Sequence, residues 1–195
     1  EAALVITPHY MVMTEDELFG FYSEVAAASK IPVVIYHFAG ATGVMLSPDM
    51  VLRLSKIDNI VGIKNTEDMD HTAKIIGLTA GNPGFDVAVG YDSLAVGTLA
   101  TGGSGSMGVV HNIVPGEMMK IYNAIQNNDV KTAMELNARL CDLVLLLEAE
   151  PYPGPAKVAL ELMGLPGGIP RKPVAAPTPE LREKMKECLS KLGVI

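Results

Sequence analysis

The stretch Ile60-Val61-Gly62-Ile63-Lys64 is a short apolar run that ends on a single lysine. An earlier run, Pro32-Val33-Val34-Ile35-Tyr36, ends in the same way on a tyrosine. Continuous apolar runs of this length are typical of parallel strands that are covered on both faces. In β/α proteins the reactive groups lie at the carboxyl ends of such strands. The two runs therefore predict a parallel sheet that presents an amine and a phenol at one edge.

The rest of the chain alternates between predicted strands and predicted helices. Strands are predicted at about residues 2–7, 32–37, 60–64, 85–89 and 105–110. Helices are predicted at about residues 14–29, 47–56, 67–78, 94–100, 115–126, 129–148, 154–163 and 179–192, and residues 40–43 as a loop. This alternation predicts an α/β fold with a parallel sheet. A doubly wound sheet could use five strands and a closed barrel needs eight, so the strand count leaves both open.

Composition excludes several classes of function. Net charge is −7 over 195 residues, with no basic stripe, which argues against a nucleic-acid or membrane-surface binder. No run of 18 apolar residues predicts a transmembrane helix. Cys141 and Cys188 have no metal-type spacing and are typical of reduced thiols in a cytoplasmic protein. We assign no metal, because His37, His71 and His111 lie far apart in sequence with no carboxylate at ligand spacing.

The amine of Lys64 is a candidate for Schiff-base chemistry on a carbonyl compound. Neighbouring parallel strands lie about 4.8 Å apart, so Lys64 and Tyr36 can reach one small substrate. A phenol at that point can pass a proton to and from a carbinolamine. The alternative readings are a solvent-facing lysine that merely ends its strand and a core tyrosine bonded to a backbone carbonyl.

Four segments together resemble the dihydrodipicolinate synthase / N-acetylneuraminate lyase family of class I, pyruvate-handling aldolases. They are Val5–Tyr10, Tyr36 with Thr42-Gly43, Gly62–Thr66 around the lysine, and Glu150–Lys157. Gly90-Tyr91-Asp92 and Gly105-Ser106-Met107-Gly108 align without gaps between them. The resemblance spans the whole chain, and the order and spacing of the segments make it specific.

The resemblance implies a (β/α)₈ TIM barrel with a C-terminal helical extension, and a homo-oligomer that is a dimer or tetramer. This chain would supply about strands four to eight: residues 1–130 would form the partial barrel, and residues 131–195 its last helix and the extension of the same domain. Glu1 leads straight into a predicted strand, so we expect the first three barrel strands to be missing from this sequence. On that expectation the chain alone is not an active, stable monomer, because its core would be exposed.

The resemblance also implies roles for individual residues. Lys64 would form the imine with pyruvate or another 2-oxo acid, Tyr36 would relay the proton, and Tyr10 would reach a neighbouring subunit's site. The residues that would contact substrate are Thr42, Gly90, Asp92, Ser93 and Met107. Because the imine itself is the electron sink, neither a metal nor an organic cofactor is needed.

Departures from the family pattern bear on the substrate. Ala41 occupies the position where dihydrodipicolinate synthases carry an arginine for the second substrate's carboxylate, and a methyl group cannot replace a guanidinium. His37 and Ala39 replace the usual Asn and Pro. We therefore rank 2-keto-3-deoxy sugar-acid aldolases above 4-hydroxy-tetrahydrodipicolinate synthase proper. A non-catalytic sugar-acid-binding relative remains open, and a phosphate-binding enzyme using Gly102–Gly105 is disfavoured because a strand, not a helix, follows that loop.

Overall fold

The computed structural model describes all 195 residues and contains a five-stranded parallel sheet flanked by helices. The strands, which pair in chain order, are β1 (Ala3–Ile6), β2 (Val33–His37), β3 (Ile60–Asn65), β4 (Asp86–Val89) and β5 (Gly105–Ser106). The α-helices are α1 (Glu15–Ala28), α2 (Ala39–Thr42), α3 (Pro48–Leu54), α4 (Met69–Thr79), α5 (Ala95–Ala100), α6 (Pro115–Gln126), α7 (Val130–Arg139), α8 (Cys141–Glu148), α9 (Gly154–Leu162) and α10 (Pro179–Leu192). Two 3₁₀ turns lie at Asp92–Leu94 and Val110–Asn112.

The chain forms two compact units, Glu1–Met107 and Gly108–Ile195. The first unit holds the whole sheet with α1 to α5, and the second holds α6 to α10. None of these helices combines the length and the apolar character needed to cross a membrane. The division of the chain at residue 130 into barrel and extension stays a prediction.

Local sequence signals set the helix starts in the first unit. Thr14 and Glu17 form a complete capping box at the start of α1, in which each side chain bonds the other residue's backbone N–H. Ser47 caps α3 ahead of a proline at its first position, and Asp68 caps α4. These caps define the first residue of each helix and therefore the length of the loop that connects it to the preceding strand.

One face of the sheet carries the hydrophobic core of the first unit. Val33, Ile35, Ile63 and Val87 point to this face and are almost fully buried against the helices. The helix residues of the same cluster include Leu18, Tyr22, Met50, Val51, Leu54, Ile75 and Ile76. The opposite face of the first unit is much more open, with Leu4 48% and Ile6 38% exposed. The alternating residues of each strand therefore separate a core face from an open face.

The structure corrects four details of the predicted elements. Residues 39–42, which overlap the predicted loop at 40–43, form the short helix α2, and β3 extends one residue beyond Lys64. The fifth strand pairs only at Gly105 and Ser106 instead of running to residue 110, since Val110 already begins a 3₁₀ turn. The single helix predicted at 129–148 is two helices, because the N–H of Leu140 bonds Asn137 O three residues back and tightens the chain there.

Candidate active site

Lys64 and Tyr36 meet on the open face of the sheet. They are register partners on the neighbouring strands β3 and β2. The Lys64 ammonium lies 4.2 Å from the centroid of the Tyr36 ring, and both residues are partly buried. The Lys64 side chain therefore does not extend into bulk solvent. In this it differs from an ordinary lysine at the end of a strand. The structure brings together the two residues that sequence analysis placed at the centre of the chemistry.

The residues beside this pair are small or apolar. The register continues from Ile6 through Tyr36 and Lys64 to Ala88, so these four side chains form one row across the open face. Ala88 and Gly105 leave room on the β4 side of the lysine. The row therefore holds one amine and one phenol among groups that cannot compete with them for a proton.

A second row lies one step nearer the carboxyl edge. Continuing the register by two residues places Phe38, Thr66, Gly90 and Met107 side by side, and backbone bonds support this: Thr66 N donates to His37 O at 2.8 Å and Gly90 N to Asn65 O at 2.8 Å. Gly90 and Met107, two of the predicted substrate contacts, thus lie in the row directly above Lys64. Met107 is 44% exposed there.

Thr66 is a residue of this row that sequence analysis missed. Its hydroxyl is buried and has no hydrogen-bond partner within the protein. A Cβ added to Gly90 would lie 2.1 Å from this oxygen, so a glycine at 90 is what leaves the hydroxyl its space. The available signal was strand alternation, since a residue two positions after Lys64 must share its face. Buried hydroxyls without a partner are uncommon in folded proteins, which makes Thr66 a candidate site residue in the row next to Lys64.

Aromatic rings line the β2 side of the edge. The Phe38 ring stacks on Tyr36 with centroids 6.4 Å apart, and it meets the edge of Tyr91 at 6.5 Å. Ala41 lies in the exposed turn of α2 just beyond Phe38. This side of the site is therefore lined by aromatic rings, with a methyl side chain at residue 41.

Thr42 holds the segment that follows β2. Its buried hydroxyl lies 3.2 Å from that of Thr7, donates to Phe38 O at 3.0 Å and accepts from Val44 N at 3.2 Å. These bonds tie α2 to the end of β1. The predicted substrate contact at Thr42 stays a prediction, and the hydroxyl's bonds give it a clear role in shaping the loop.

The other predicted site residues lie on loops of the first unit. Tyr10 is 96% exposed and adopts a left-handed backbone conformation with φ of 77°, so its ring is presented outward. Asp92 is buried in the 3₁₀ turn after β4, whereas its neighbour Ser93 is exposed. The structure thus places Asp92 and Ser93 near the carboxyl end of β4 without adding them to the Lys64 row.

The core face of the same strand ends carries buried polar groups that sequence analysis did not connect. His37 bonds Asn65 across β2 and β3, with Nδ1 and Oδ1 2.9 Å apart, and the His37 and His71 rings lie 5.3 Å apart. Burial lowers the pKa of His37, and the bond to Asn65 and the charge of Glu67 oppose that shift. No group of histidine, cysteine and carboxylate side chains suited to a metal ion occurs in the structure.

Comparison with known proteins identifies what this arrangement is similar to. The model of the dihydrodipicolinate synthetase family matches residues 1–192. The 4-hydroxy-tetrahydrodipicolinate synthases of Methanothrix thermoacetophila and Archaeoglobus fulgidus are 38% and 35% identical over 99% and 100% of the chain. The chain spans 65% and 67% of their respective lengths, so about a third of each relative has no counterpart in it.

Solved structures give the same result for the fold. The dihydrodipicolinate synthase of Thermotoga maritima superposes with a TM-score of 0.95 at 28% identity, over 98% of this chain and 66% of that one. The chloride-inhibited enzyme of Acinetobacter baumannii, solved with pyruvate, superposes with a TM-score of 0.92 at 34% identity, over 100% of this chain and 66% of that one. The predicted α/β class, as part of a (β/α)₈ barrel with a helical extension, is confirmed.

Proposed function

The chain belongs to the dihydrodipicolinate synthetase family, and on this premise we propose that its protein is a Schiff-base-forming lyase or synthase that acts on pyruvate or a 2-keto-3-deoxy sugar acid. The observation that carries the proposal is the Lys64 amine 4.2 Å from the Tyr36 ring in an otherwise apolar row. It is a class I aldolase-type mechanism, so it needs neither metal nor organic cofactor.

The reaction follows from the two groups. The neutral Lys64 amine adds to the ketone carbon of the 2-oxo acid and gives a carbinolamine, whose hydroxyl leaves as water once it is protonated. The resulting iminium ion draws electrons from the adjacent carbon, which loses a proton and becomes an enamine. That carbon attacks an aldehyde to form the C–C bond, and hydrolysis of the iminium ion frees Lys64. In the cleavage direction the same steps run in reverse.

Tyr36 is the group placed to move these protons. Its ring lies against the Lys64 amine, so its hydroxyl belongs to the same small space in which carbinolamine and iminium ion interconvert. Thr66 supplies a second, buried hydroxyl in the next row, packed against Gly90. We expect rotation of this side chain to let its hydroxyl bond an oxygen of the bound 2-oxo acid or of its partner aldehyde.

The choice of partner aldehyde depends on the residues beyond Lys64. Ala41 and the aromatic pair Phe38 and Tyr91 offer no cation to a second carboxylate, which favours a 2-keto-3-deoxy sugar acid over the substrate of 4-hydroxy-tetrahydrodipicolinate synthase. Asp92 and Ser93 are the residues we expect to meet the hydroxylated chain. The curated relatives cited above are named as synthases, so that activity is the alternative.

Assembly is part of the proposal. Tyr10 exposes almost its whole side chain, so it is available to complete a neighbouring subunit's site in a homodimer or homotetramer. We expect this assembly to act in the cytoplasm on a small-molecule substrate.

Borohydride trapping tests the proposed chemistry. The protein, expressed at its full natural length, is incubated with pyruvate and sodium borohydride, digested, and examined by mass spectrometry. We expect a reduced pyruvate adduct on the peptide that contains Lys64, and no adduct in Lys64→Ala. Lys74→Ala, which removes an exposed lysine paired only with Asp70, is the matched control and should trap normally. Absence of the adduct from the unmodified protein would refute the proposal.

Ligand binding separates the enzyme from a non-catalytic relative. If the protein only binds a sugar acid, Lys64→Ala should leave affinity for 2-keto-3-deoxygluconate unchanged, and neither protein should cleave it. The lyase proposal requires turnover by the unmodified protein and its loss in the variant, with an unchanged thermal melt.

A further inference from the structure

Four hydrogen bonds behind the active-site row form a closed cycle. Leu46 N–H donates to His37 Nε2 at 3.1 Å, and His37 Nδ1 contacts Asn65 Oδ1 at 2.9 Å. Asn65 Nδ2 then contacts His71 Nδ1 at 3.2 Å, and His71 Nε2 contacts Leu46 O at 2.9 Å. The cycle thus begins and ends on the two peptide groups of one buried residue, Leu46.

Only one arrangement of protons satisfies all four bonds. The Leu46 N–H can only donate, so His37 must accept at Nε2 and carry its proton on Nδ1. Asn65 must therefore turn its oxygen to His37 and its nitrogen to His71. The Leu46 carbonyl can only accept, so His71 carries its proton on Nε2. Both imidazoles are neutral, and they are opposite tautomers.

The cycle joins the strand ends to the loop that borders the site. His37 and Asn65 are register partners, one residue after the partners Tyr36 and Lys64, and they point to the other face of the sheet. Leu46 lies between α2 and α3, and His71 lies on α4. Residues 38–45, which include Phe38 and Ala41, are therefore held at both ends by one set of bonds.

We propose that His37, Asn65 and His71 are positioning residues, which hold the Lys64–Tyr36 pair and residues 38–45 in their active geometry through a cycle that exists only while both imidazoles are neutral. A second proton on His37 would lie on Nε2, opposite the Leu46 N–H, and would replace that attraction by two opposed donors. Burial keeps the pKa of His37 below its ordinary value and outweighs the charge of Glu67 and a backbone hydrogen bond to Val44, which favour the charged ring. Activity should therefore fall at acid pH for a reason that lies outside Lys64 and Tyr36.

The charged groups around the cycle set the direction of this pH dependence. Burial disfavours a charge on His37 and lowers its pKa from the ordinary value near 6.5, so its neutral form persists to lower pH. Glu67 lies 3.9 Å from His37 Nε2 and favours the charged form, but its Oε1 also accepts from Ala39 N at 2.8 Å. His71 opposes that charge, and Asp68 is occupied in capping α4.

Nuclear magnetic resonance tests the cycle without reference to activity. In protein of full natural length labelled with ¹⁵N-histidine, we expect His37 to show the Nδ1–H tautomer and His71 the Nε2–H tautomer at pH 7.5. The same tautomer for both rings, or a charged ring at that pH, would overturn the proposal. His37→Gln and His71→Gln assign the two signals.

Two replacements of His71 separate positioning from packing. Glutamine offers one acceptor and one donor and does not titrate, whereas leucine offers neither. We expect His71→Gln to keep kcat within about threefold of the unmodified protein, and His71→Leu to lose about tenfold or more. Equal losses in both variants would contradict the proposal.

Two buried threonines of α4 give a matched pair. Thr72 and Thr79 each donate to the carbonyl four residues back at 2.8 Å, but only Thr72 also accepts from Asn65 Nδ2, at 2.9 Å. Thr72→Val should therefore lower kcat by about 3- to 10-fold, and Thr79→Val should leave it unchanged at a similar loss of thermal stability.

The kcat measurements rest on the proposed lyase function. The measurement of the histidine tautomers by nuclear magnetic resonance does not. If no pyruvate adduct forms but the tautomers are as expected, the lyase proposal fails and the cycle stands. If the adduct forms and Thr72→Val matches Thr79→Val in kcat, the cycle is a structural feature without a positioning role.

Discussion

Replacing Tyr36 by phenylalanine removes the phenolic oxygen and leaves the rest of the Lys64 environment in place. The ring of the new residue can still lie 4.2 Å from the ammonium and stack on Phe38, because both contacts involve ring atoms only. Tyr36→Phe therefore isolates the proton-transfer role from the contact that holds the lysine.

The loss in kcat expected for Tyr36→Phe is large compared with the energy of the cation–π contact between Lys64 and the ring. A positioned acid or base contributes about 10²- to 10⁴-fold, so kcat should fall by that factor, or by about 3–5 kcal/mol of barrier. A cation–π contact is worth about 0.5–2 kcal/mol. Tyr36→Leu, which removes both ring and oxygen, should therefore be worse than Tyr36→Phe by only about 2- to 30-fold.

The assay measures turnover and trapping in parallel. Steady-state cleavage of 2-keto-3-deoxygluconate, followed by a coupled pyruvate assay, gives kcat and KM. Borohydride trapping with pyruvate gives the rate and final extent of adduct formation at Lys64. We expect Tyr36→Phe to reach the same final extent of trapping as the unmodified protein, more slowly, with little change in KM. A kcat within tenfold of the unmodified protein would show that another group moves the proton.

Three further substitutions, the first with a compensating second change, test contacts that stabilise the fold. Gly90→Ala should destabilise the fold by about 1–3 kcal/mol in denaturant titration, because the added methyl meets the Thr66 hydroxyl, and Thr66→Ala should recover part of the loss. Tyr22→Phe should cost about 1 kcal/mol, since it leaves a β1 carbonyl without its donor; an unchanged midpoint would contradict this. Thr14→Ala should cost about 1 kcal/mol through the lost helix cap. It removes the hydroxyl donor to Glu17 and keeps the backbone N–H donor, so the lowered pKa of Glu17 should return only part of the way toward its ordinary value and the acid limb of stability should shrink in part; an identical pH profile would argue against the cap.

The sign of the Glu17 effect follows from the direction of its shift. Hydrogen bonds from Thr14 lower the pKa of Glu17 in the folded state. Its contribution to stability is therefore fully present above the unfolded value and is lost as the pH falls through the folded value. Thr14→Ala removes the hydroxyl donor and leaves the backbone N–H donor, so only part of that loss should disappear.

Sequence reasoning succeeded for the features that depend on a local pattern of residues. The apolar runs that end at Tyr36 and Lys64 predict neighbouring parallel strands, and strand spacing alone then brings the amine and phenol together. The capping residues Thr14 and Ser47 likewise predict their helix starts, because a cap acts within four residues.

Sequence reasoning failed for contacts between residues far apart in the chain and for very short segments. His37 and His71 are far apart in the chain, and only the fold shows that both reach Leu46. The run after Gly105 is apolar enough for a strand, but its pairing ends at Ser106, which periodicity cannot reveal. The unpartnered hydroxyl of Thr66 is visible only once its neighbours are known.

The two faces of β2 and β3 explain why polar residues stand on both sides of these strand ends. Side chains alternate, so Tyr36 and Lys64 cannot be placed on the open face without placing His37 and Asn65 on the core face. A slip of one residue would exchange the pairs and bury the amine among helices. An apolar pair behind the site would tolerate small shifts of one strand against the other, whereas a cycle of directional bonds to Leu46 does not. The relative position of Tyr36 and Lys64 on the open face thus depends on the hydrogen bonds of His37 and Asn65 on the core face.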